Sequence, residues 1–488
     1  MADQSMELNS ENLRSLIDHS SDITFKDIYI GLEKNIKVTL VFIEGLIQKE
    51  YLSNFILKPL LESPNFCSVE KEAIILDLIE SGSLYFPSQK KFKDIDSVTS
   101  EIFNGNAVLI FDKSHTAFSF SVQGFESRNV TEPSGENVIK GSKDSFVETL
   151  STNISTIRRR IRTVDLIAEE FIVGKQTRTP LNIIYIRNLT NKDLVDEVRK
   201  KIQSIDVDGA LTTSIIEEHI RSNKYSPFPQ LLYTERPDKF CSNIIEGRVG
   251  MLIDGLPVAL ISPATFLQFM QAPEDYSQNF IYSSAIRLLR FTLTFITLYL
   301  PGFYVAVTSF HQEMIPTQLA LSIQVSKEGV PFPSFMETLG LLIAFEILVE
   351  SGIRLPKTIS QAFSIVGAVV VGQAAVEAKL VSPAVVVIVA ATAISSYVMP
   401  NQDFSNAIRL WRFILTIFSS IAGLFGMSIG GLLLLYHLCT IDNFGISYLS
   451  PFVSSNTMQY QDTLIRMPMF FMKKRPVDLK TTNKKRQS

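Results

Sequence analysis

Cysteine is scarce in this sequence, and the usual catalytic motifs are missing. The three cysteines, Cys67, Cys241 and Cys439, lie far apart among 488 residues, so neither a disulfide framework nor a zinc site is predicted. There is no phosphate-binding or dinucleotide-binding glycine motif, no nucleophile elbow and no HExxH motif. The five histidines are scattered. We therefore predict that the chain is not an enzyme and that it holds no cofactor, no metal and no catalytic residues.

An excess of charge of one sign is also missing. The net charge is −3, which is too small to indicate a nucleic-acid partner. The N-terminus carries Asp3, Glu7 and Glu11 among polar residues, whereas a signal peptide has a basic start and an apolar core. We therefore expect the large N-terminal part of the chain to be cytosolic.

Long uncharged runs are confined to the second half of the chain. A helix needs about 20 apolar residues to cross a hydrocarbon core. Four runs reach or approach that length: Phe291–Phe310, Thr358–Val376, Leu380–Gln402 and Phe413–Ile441. A fifth run, Leu339–Val349, is too short to span alone and is interpreted as a half-helix, a re-entrant segment or a span buried against protein. The chain is thus predicted to be a multi-pass membrane protein.

The distribution of basic residues only partly determines how the chain is oriented in the membrane. From Arg466 to the end, eight Lys/Arg residues stand against one acid, which predicts a cytosolic tail. A cytosolic N-terminus and tail require an even number of crossings, so we predict four. Four crossings leave Arg354, Lys357, Arg409 and Arg412 outside, against the same rule, whereas five crossings would leave the tail outside.

The first half of the chain contains an internal repeat. Three pairs of blocks recur at an offset of 142 or 143 residues: Val41–Glu50 with Ile184–Asp193, Phe86–Pro87 with Phe228–Pro229, and Gly105–Asp112 with Gly247–Asp254. Each copy is predicted to contain a buried strand, an amphipathic helix and a closing β-hairpin. The fold class is therefore α/β plus membrane α-helical, with two tandem similar α/β subdomains followed by a multi-span helical domain.

These patterns predict six segments. They are a polar segment 1–34, a first cytosolic subdomain 35–125, a linker loop with an Arg-rich helix 126–179, a second cytosolic subdomain 180–270, a transmembrane domain 285–441 and a basic cytosolic tail 442–488. The linker helix is expected from about Lys143 to Glu170 and carries Arg158, Arg159, Arg160 and Arg162. These arginines cover several helix faces, which favours ion pairs between subunits or contact with lipid phosphates.

One acidic residue lies within the short fifth run, and a second lies just beyond its end. Glu346 and Glu350 are four residues apart and share one helix face, which Arg354 continues. One interpretation is a structural ion pair that ties this segment to neighbouring helices. The other is a vestibule that attracts cations, because carboxylates at membrane depth mark ion paths or buried partners.

Many ordered blocks of this sequence resemble the A subunit of the GerA family of spore germination receptors. They are Arg128–Pro133, Phe146–Ile161, Asp206–Leu211, Tyr225–Leu231, Pro301–Ala306, His311–Thr317, Gly329–Pro333, Phe345–Pro356, Val366–Val376 and Leu380–Pro383. The resemblance extends over roughly residues 35 to 440. It implies a multi-pass protein of the spore inner membrane that works with a transporter-like B subunit and a C-subunit lipoprotein. It also implies a homo-oligomer, a pentamer, that forms a cation channel opened by a germinant and in contact with membrane lipids.

Two other functions stay open at this point. Stage V sporulation proteins share the same blocks and act beside the dipicolinate release channel, and the sequence separates the two groups poorly. A secondary transporter subunit belongs to a different functional class. It is often marked by broken helices in two inverted halves, and no such membrane repeat is visible in the sequence.

For a channel, the run Thr358–Val376 is the predicted pore-lining helix. Its small residues allow close packing, and at helical spacing one face carries Val366, Val369, Val370, Gln373 and Glu377. This face is apolar in its middle and anionic at its C-terminal end. Such a stripe suits a hydrophobic constriction with a carboxylate ring at one mouth. The alternative is that the face packs against Leu380–Met399.

Overall fold

A computed structural model describes residues 7–487 except residues 18, 85, 87, 125–132, 134, 137, 139, 355–371 and 454–460. The chain divides into two compact units. We call them the α/β unit, which comprises Met1–Arg221, Leu231–Pro263 and Lys473–Ser488, and the helical unit, which comprises Ser222–Gln230 and Ala264–Met472. The predicted tail is therefore shared: its part from Lys473 onward folds with the α/β unit, where the Thr482 N–H donates to the Leu189 carbonyl at 3.1 Å.

The α/β unit contains two five-stranded antiparallel sheets. The first has the order β1-β2-β4-β5-β3, with β1 Ile23–Ile30, β2 Ile36–Ile43, β3 Gln89–Phe92, β4 Ala107–Phe111 and β5 Thr116–Phe120. The second has the order β6-β7-β9-β10-β8, with β6 Leu166–Val173, β7 Thr179–Ile186, β8 Leu232–Thr234, β9 Val249–Ile253 and β10 Ala259–Ser262. The continuously apolar strands β4 and β9 are central and fully buried, as such runs predict.

The predicted duplication is confirmed by this topology. Strands β2 and β7, which contain Val41 and Ile184, occupy the same position in their sheets, and the other strands correspond one to one. Each copy also begins earlier than predicted, because β1 and β6 pair with β2 and β7 as outer strands. The prediction of a helix as far as Glu170 is therefore wrong. The helix-favouring residues Ala168, Glu169 and Glu170 are held extended by backbone pairing with β7, and tertiary pairing overrides local propensity.

Helices cover both sheets. In chain order they are α1 Ser10–Ile17, α2 Lys49–Tyr51 with the π-helical turns Leu52–Leu57, α3 Lys58–Glu62, α4 Pro64–Cys67, α5 Glu72–Glu80, α6 Ile95–Phe103, α7 Leu150–Arg160, α8 Lys192–Gln203, α9 Thr213–Ile220 and α10 Pro237–Ile245. The amphipathic α8 buries Leu194, Val195, Val198 and Ile202, which are the apolar positions that the sequence predicts for the helix of the second copy.

The helical unit contains the apolar second half of the chain. Its elements are α11 Phe266–Met270, α12 Glu274–Ser277, α13 Phe280–Ser309, α14 Thr317–Ser326, α15 Ser334–Arg354, α16 Pro383–Ser396, α17 Gln402–Thr440 and the small hairpin β11 Asp442–Asn443 with β12 Ile446–Ser447. Among the described residues, two helices, α13 and α17, are long and apolar enough to cross a membrane by length and composition, and α16 is a shorter apolar helix.

Helix α17 folds back on itself. The backbone leaves helical geometry at Ala422 and Gly423, where Gly423 has φ +60°. The indole of Trp411 lies 5.9 Å from the ring of His437, whereas 26 residues of straight helix would separate them by about 39 Å. A Cβ atom on Gly426 would lie 2.0 Å from the Phe418 carbonyl oxygen, so only glycine allows this approach. We call residues 402–421 the first arm of α17 and residues 424–440 its second arm.

Contacts within the helical unit fix the direction of each helix. The end of α13 meets the turn of α17, because the Leu424 N–H donates to His311 Nε2 at 3.3 Å. Gly302 lies beside Ser419, so α13 and the first arm run in the same direction. Helix α15 runs the opposite way: its start, at Glu337, lies beside Ser382, and its later part, at Glu346, lies beside Arg412.

The structure changes three of the predicted runs. Phe413–Ile441 is not one continuous span, because the glycine-rich turn divides it between two arms. Leu339–Val349 is part of a helix of 21 residues, and Leu380–Gln402 contains a helix of only 14 residues. The run Thr358–Val376 lies mostly outside the described residues.

Candidate functional site

The predicted pore face falls largely outside the part of the chain that is described. Val366, Val369 and Val370 belong to residues 355–371. Gln373 and Glu377 lie on the described helical residues 372–377, and both side chains are exposed. The predicted constriction therefore stays a prediction, although the anionic end of its face is accessible.

Glu346 of α15 is held by two arginines of α17. Its Oε1 accepts a hydrogen bond from Arg412 Nη2 at 2.6 Å, and its Oε2 accepts one from Arg409 Nη1 at 2.9 Å. The side chain of Arg412 is 1% exposed, whereas that of Glu346 is 28% exposed. A buried guanidinium is costly without a partner, so Glu346 compensates the charge of Arg412. We call Glu346, Arg409 and Arg412 the charge triad.

Glu350, the second acidic residue of the predicted pair, has a different partner. Arg354 Nη2 donates to Glu350 Oε1 at 2.6 Å within the same helix. Both side chains are more than half exposed, and exposed pairs of this kind contribute little stability. Of the two predicted acidic residues, it is therefore Glu346 that ties α15 to a neighbouring helix.

A second buried carboxylate was missed by the sequence analysis. Glu337, 2% exposed, accepts the backbone N–H of Ser382 at 2.7 Å through Oε2, and Lys327 Nζ lies 3.6 Å from its Oε1. Ser382 is the N-cap of α16, and a carboxylate is stabilised by the positive end of the helix dipole. A glutamate early in an apolar helix was the available signal, but no spacing rule could name Ser382 as its partner.

Charges at the start of α13 are neutralised before its apolar run begins. Asp275, 2% exposed, pairs with Arg287 at 3.2 Å and with Arg290 at 3.1 Å. Arg287 Nη1 also donates to Asp462 Oδ1 at 2.8 Å. Phe291 follows Arg290 directly, and no charged residue occurs from there to the end of the helix. The two arginines therefore mark the boundary of the apolar part of α13.

The arginines of α7 do not act as a group. The guanidinium of Arg158, 1% exposed, donates to both carboxylate oxygens of Asp22 at 2.7 and 2.8 Å and to the Leu166 carbonyl at 2.7 Å. The predicted intersubunit or lipid role is therefore wrong for Arg158. Its helix lies between the two sheets, so its partners are at the start of each. Arg160 pairs with Asp144.

Arg159 and Arg162 instead line an open polar cleft of about 650 Å³ at the first sheet. Lys90 and Glu101 also line this cleft, and their ion pair measures 3.6 Å. Glu101 accepts hydrogen bonds from Ser119 and Asn106 as well. Several polar side chains of the cleft are thus bonded to one another.

Two observations concern metal ligands and cysteine chemistry. Within residues 7–487, as far as they are described, no group of three His, Cys, Asp or Glu side chains could hold a metal ion. Burial raises the pKa of the Cys241 thiol to about 12, which is the reverse of the shift that activates a nucleophilic cysteine.

Comparisons with known proteins give a consistent set of similarities. The family model described as "Bacillus/Clostridium GerA spore germination protein" matches residues 11–478. The chain is 38% identical to spore germination protein KA of Bacillus subtilis, over 99% of this chain and 88% of that protein. It is 34% identical to spore germination protein B1 of Bacillus subtilis, over 97% of both chains.

One solved structure is also similar. It is the crystal structure of the N-terminal domain of the A subunit of the Bacillus megaterium spore germinant receptor GerK3, with 28% identity and a TM-score of 0.44. The match covers 55% of this chain and all of that one.

Proposed function

Because this chain belongs to the GerA family of spore germination proteins, we propose that it is the A subunit of a germinant receptor in the spore inner membrane. In this proposal it oligomerises, as a pentamer, into a cation channel that opens when germinant binds. Its partners are a transporter-like B subunit and a lipoprotein C subunit. The observation that carries the proposal is the charge triad inside a bundle of apolar helices whose directions alternate.

Helix lengths support several crossings. At a rise of 1.5 Å per residue, α15 is about 31 Å long and the first arm of α17 about 30 Å, which matches a hydrocarbon core of about 30 Å. The apolar residues 291–309 of α13 extend for a similar length. The shorter α16 begins at Ser382, whose N–H is bound by buried Glu337. A helix that starts within the membrane needs such a partner for its free N–H groups.

Helix directions support six crossings rather than four. The six are α13, α15, the run Thr358–Val376, α16 and the two arms of α17. The basic residues Arg354, Arg409 and Arg412 then belong to the half of the bundle in which α13 begins, on the cytosolic side of the membrane, in agreement with the positive-inside rule. An even number also fits the tail, because its residues from Lys473 onward fold with the α/β unit.

Cysteine labelling tests this orientation. In a chain whose only cysteine is Cys439, at the end of the second arm, a membrane-impermeant maleimide should label inverted vesicles but not intact cells. A chain whose only cysteine is Thr317→Cys, after the end of α13, should show the opposite pattern. Labelling of both sites from the same side would contradict six crossings.

Within this channel we assign the pore lining to the face of Thr358–Val376 that carries Val366, Val369, Val370, Gln373 and Glu377. Narrow apolar constrictions block ions by dewetting, and a ring of carboxylates at one mouth favours cations. The exposure of Gln373 and Glu377 in the described part of this run supports the assignment.

Polarising the constriction tests the pore. Val370→Ser should produce cation leak without germinant, because a hydroxyl lowers the barrier to wetting. The matched control is Val305→Ser in α13, a fully buried valine, which should stay silent. If an assembled Val370→Ser variant shows no cation leak and Val305→Ser does, the pore is lined by α13 instead.

A further inference from the structure

A short segment after the helices exposes its apolar side chains and buries its one charged side chain, which is the reverse of an ordinary loop in water. We call residues 464–471, Leu-Ile-Arg-Met-Pro-Met-Phe-Phe, the apolar segment. Six of its eight side chains are large and apolar, and all six are exposed: Ile465 is 61% exposed, Phe470 67% and Phe471 57%. Its one charged residue, Arg466, is 5% exposed. A loop in water would place these groups the other way round.

The buried arginine fixes the apolar segment to the beginning of α13. Arg466 Nη1 donates to the carbonyl oxygens of Asp275 and Gln278 at 2.6 and 3.1 Å. The backbone of Arg466 is bonded to the Ser284 hydroxyl at 3.1 Å on both its N–H and its carbonyl. Just before the segment, Asp462 accepts a hydrogen bond from Arg287. The segment is therefore fixed in position by these hydrogen bonds while its apolar side chains remain exposed.

The level of this attachment corresponds to the surface of a bilayer. The apolar run of α13 begins at Phe291, and Ser284 precedes it by seven residues, or about 10 Å of helix. The polar headgroup region adds about 5–7 Å on each side of the hydrocarbon core, so Ser284 lies near the outer edge of this region, from which long side chains reach inward. The first turn of α13 exposes further apolar side chains at the same level, with Ile281 67% exposed and Tyr282 56% exposed.

From these observations we propose that the apolar segment inserts its side chains into the interface of the cytosolic leaflet and acts as a lipid-bound collar at the start of α13. This inference rests on the proposed membrane placement. Aromatic and apolar side chains favour the interfacial region. After Met472 comes Lys473, an exposed basic residue, and basic residues next to an apolar anchor are attracted to anionic lipid headgroups.

Depth-dependent fluorescence quenching tests the collar in the full chain. Trp411 is the only tryptophan, so a Trp411→Phe background gives one reporter per variant. The reporters are Phe470→Trp in the collar, Phe303→Trp near the middle of the apolar run of α13, where the side chain is 43% exposed, and Tyr225→Trp, where it is 98% exposed. Each variant is reconstituted in phosphatidylglycerol/phosphatidylethanolamine vesicles with bromine atoms at either a shallow or a deep acyl position.

The collar predicts that Phe470→Trp is quenched by shallow bromolipid about twofold more strongly than by deep bromolipid. Phe303→Trp should respond most to the deep label, and Tyr225→Trp should respond only to aqueous acrylamide. Quenching of Phe470→Trp by acrylamide alone would overturn the collar. Shielding from both lipid and acrylamide would also overturn it, because a protein surface would then cover the segment. If neither bromolipid quenches Phe303→Trp, the membrane placement itself fails.

Discussion

Replacing Glu346 by glutamine is the perturbation that bears most directly on the charge triad. The substitution keeps the size of the side chain and one oxygen acceptor, but it removes the negative charge between Arg409 and Arg412. Arg412 is 1% exposed, so it cannot regain the lost interaction from water. We therefore expect the assembly of α15 with α17 to weaken in Glu346→Gln.

The size of this effect follows from burial. Removing one partner of a buried ion pair costs about 3–5 kcal/mol. Because the Glu346 side chain is 28% exposed, the lower end of that range, about 3 kcal/mol, is expected. For a helical unit of this size each kcal/mol lowers the melting temperature by about 2–4 °C, so the shift should be roughly 6–12 °C. Thermal unfolding of the purified chain in detergent measures it.

Glu350→Gln is the matched control, since it removes an equal charge from the same helix. Its partner Arg354 is exposed, so the melting temperature of Glu350→Gln should stay close to that of the unchanged chain. In a double-mutant cycle, Arg412→Met should recover part of the stability lost in Glu346→Gln, because no unpaired buried charge remains. Equal melting temperatures of Glu346→Gln and Glu350→Gln, with reduced cation flux in Glu346→Gln alone, would refute the structural role and favour the cation vestibule.

Three further substitutions or measurements probe other parts of the chain. Gly426→Ala should lower the melting temperature by several degrees, because the added methyl group would collide with a backbone carbonyl of the first arm of α17. Its control is Gly340→Ala, which should leave the melting temperature nearly unchanged because the space around Gly340 is open. Arg158→Met should destabilise the α/β unit by about 3–5 kcal/mol in guanidinium chloride unfolding, and an unchanged midpoint would contradict its clamping role. Burial raises the pKa of the Cys241 thiol and shields it from solvent, so a thiol reagent should modify exposed Cys439 in the folded chain and Cys241 only after unfolding.

The duplicated α/β architecture could be predicted because it depends on local pattern. Apolar strands and turn residues recur at one offset, and equivalent sequence produced equivalent positions in two sheets. The outer strands β1 and β6 were missed because they combine apolar and charged residues without a clear strand pattern. In β6, for example, alternation is weak and Glu169 and Glu170 favour a helix. Only pairing with β7 decides the conformation there, and pairing between distant segments leaves no local signal.

The membrane half shows the same limit in another form. Apolar length identified the runs, but length alone could not reveal that α17 reverses at Gly423. The closely packed glycines of its second arm were the available hint. Likewise, Glu346 could be identified as functionally or structurally important, whereas its partners Arg409 and Arg412 depend on how α15 packs against α17.

Passive cation flux from the purified full chain in liposomes tests channel function most directly. A channel should release preloaded potassium down its gradient at a rate that rises linearly with concentration, and Val370→Ser should increase that rate without germinant. Flux that saturates and accelerates when the same ion is supplied on the opposite side would instead reveal exchange by a transporter, and would contradict the channel.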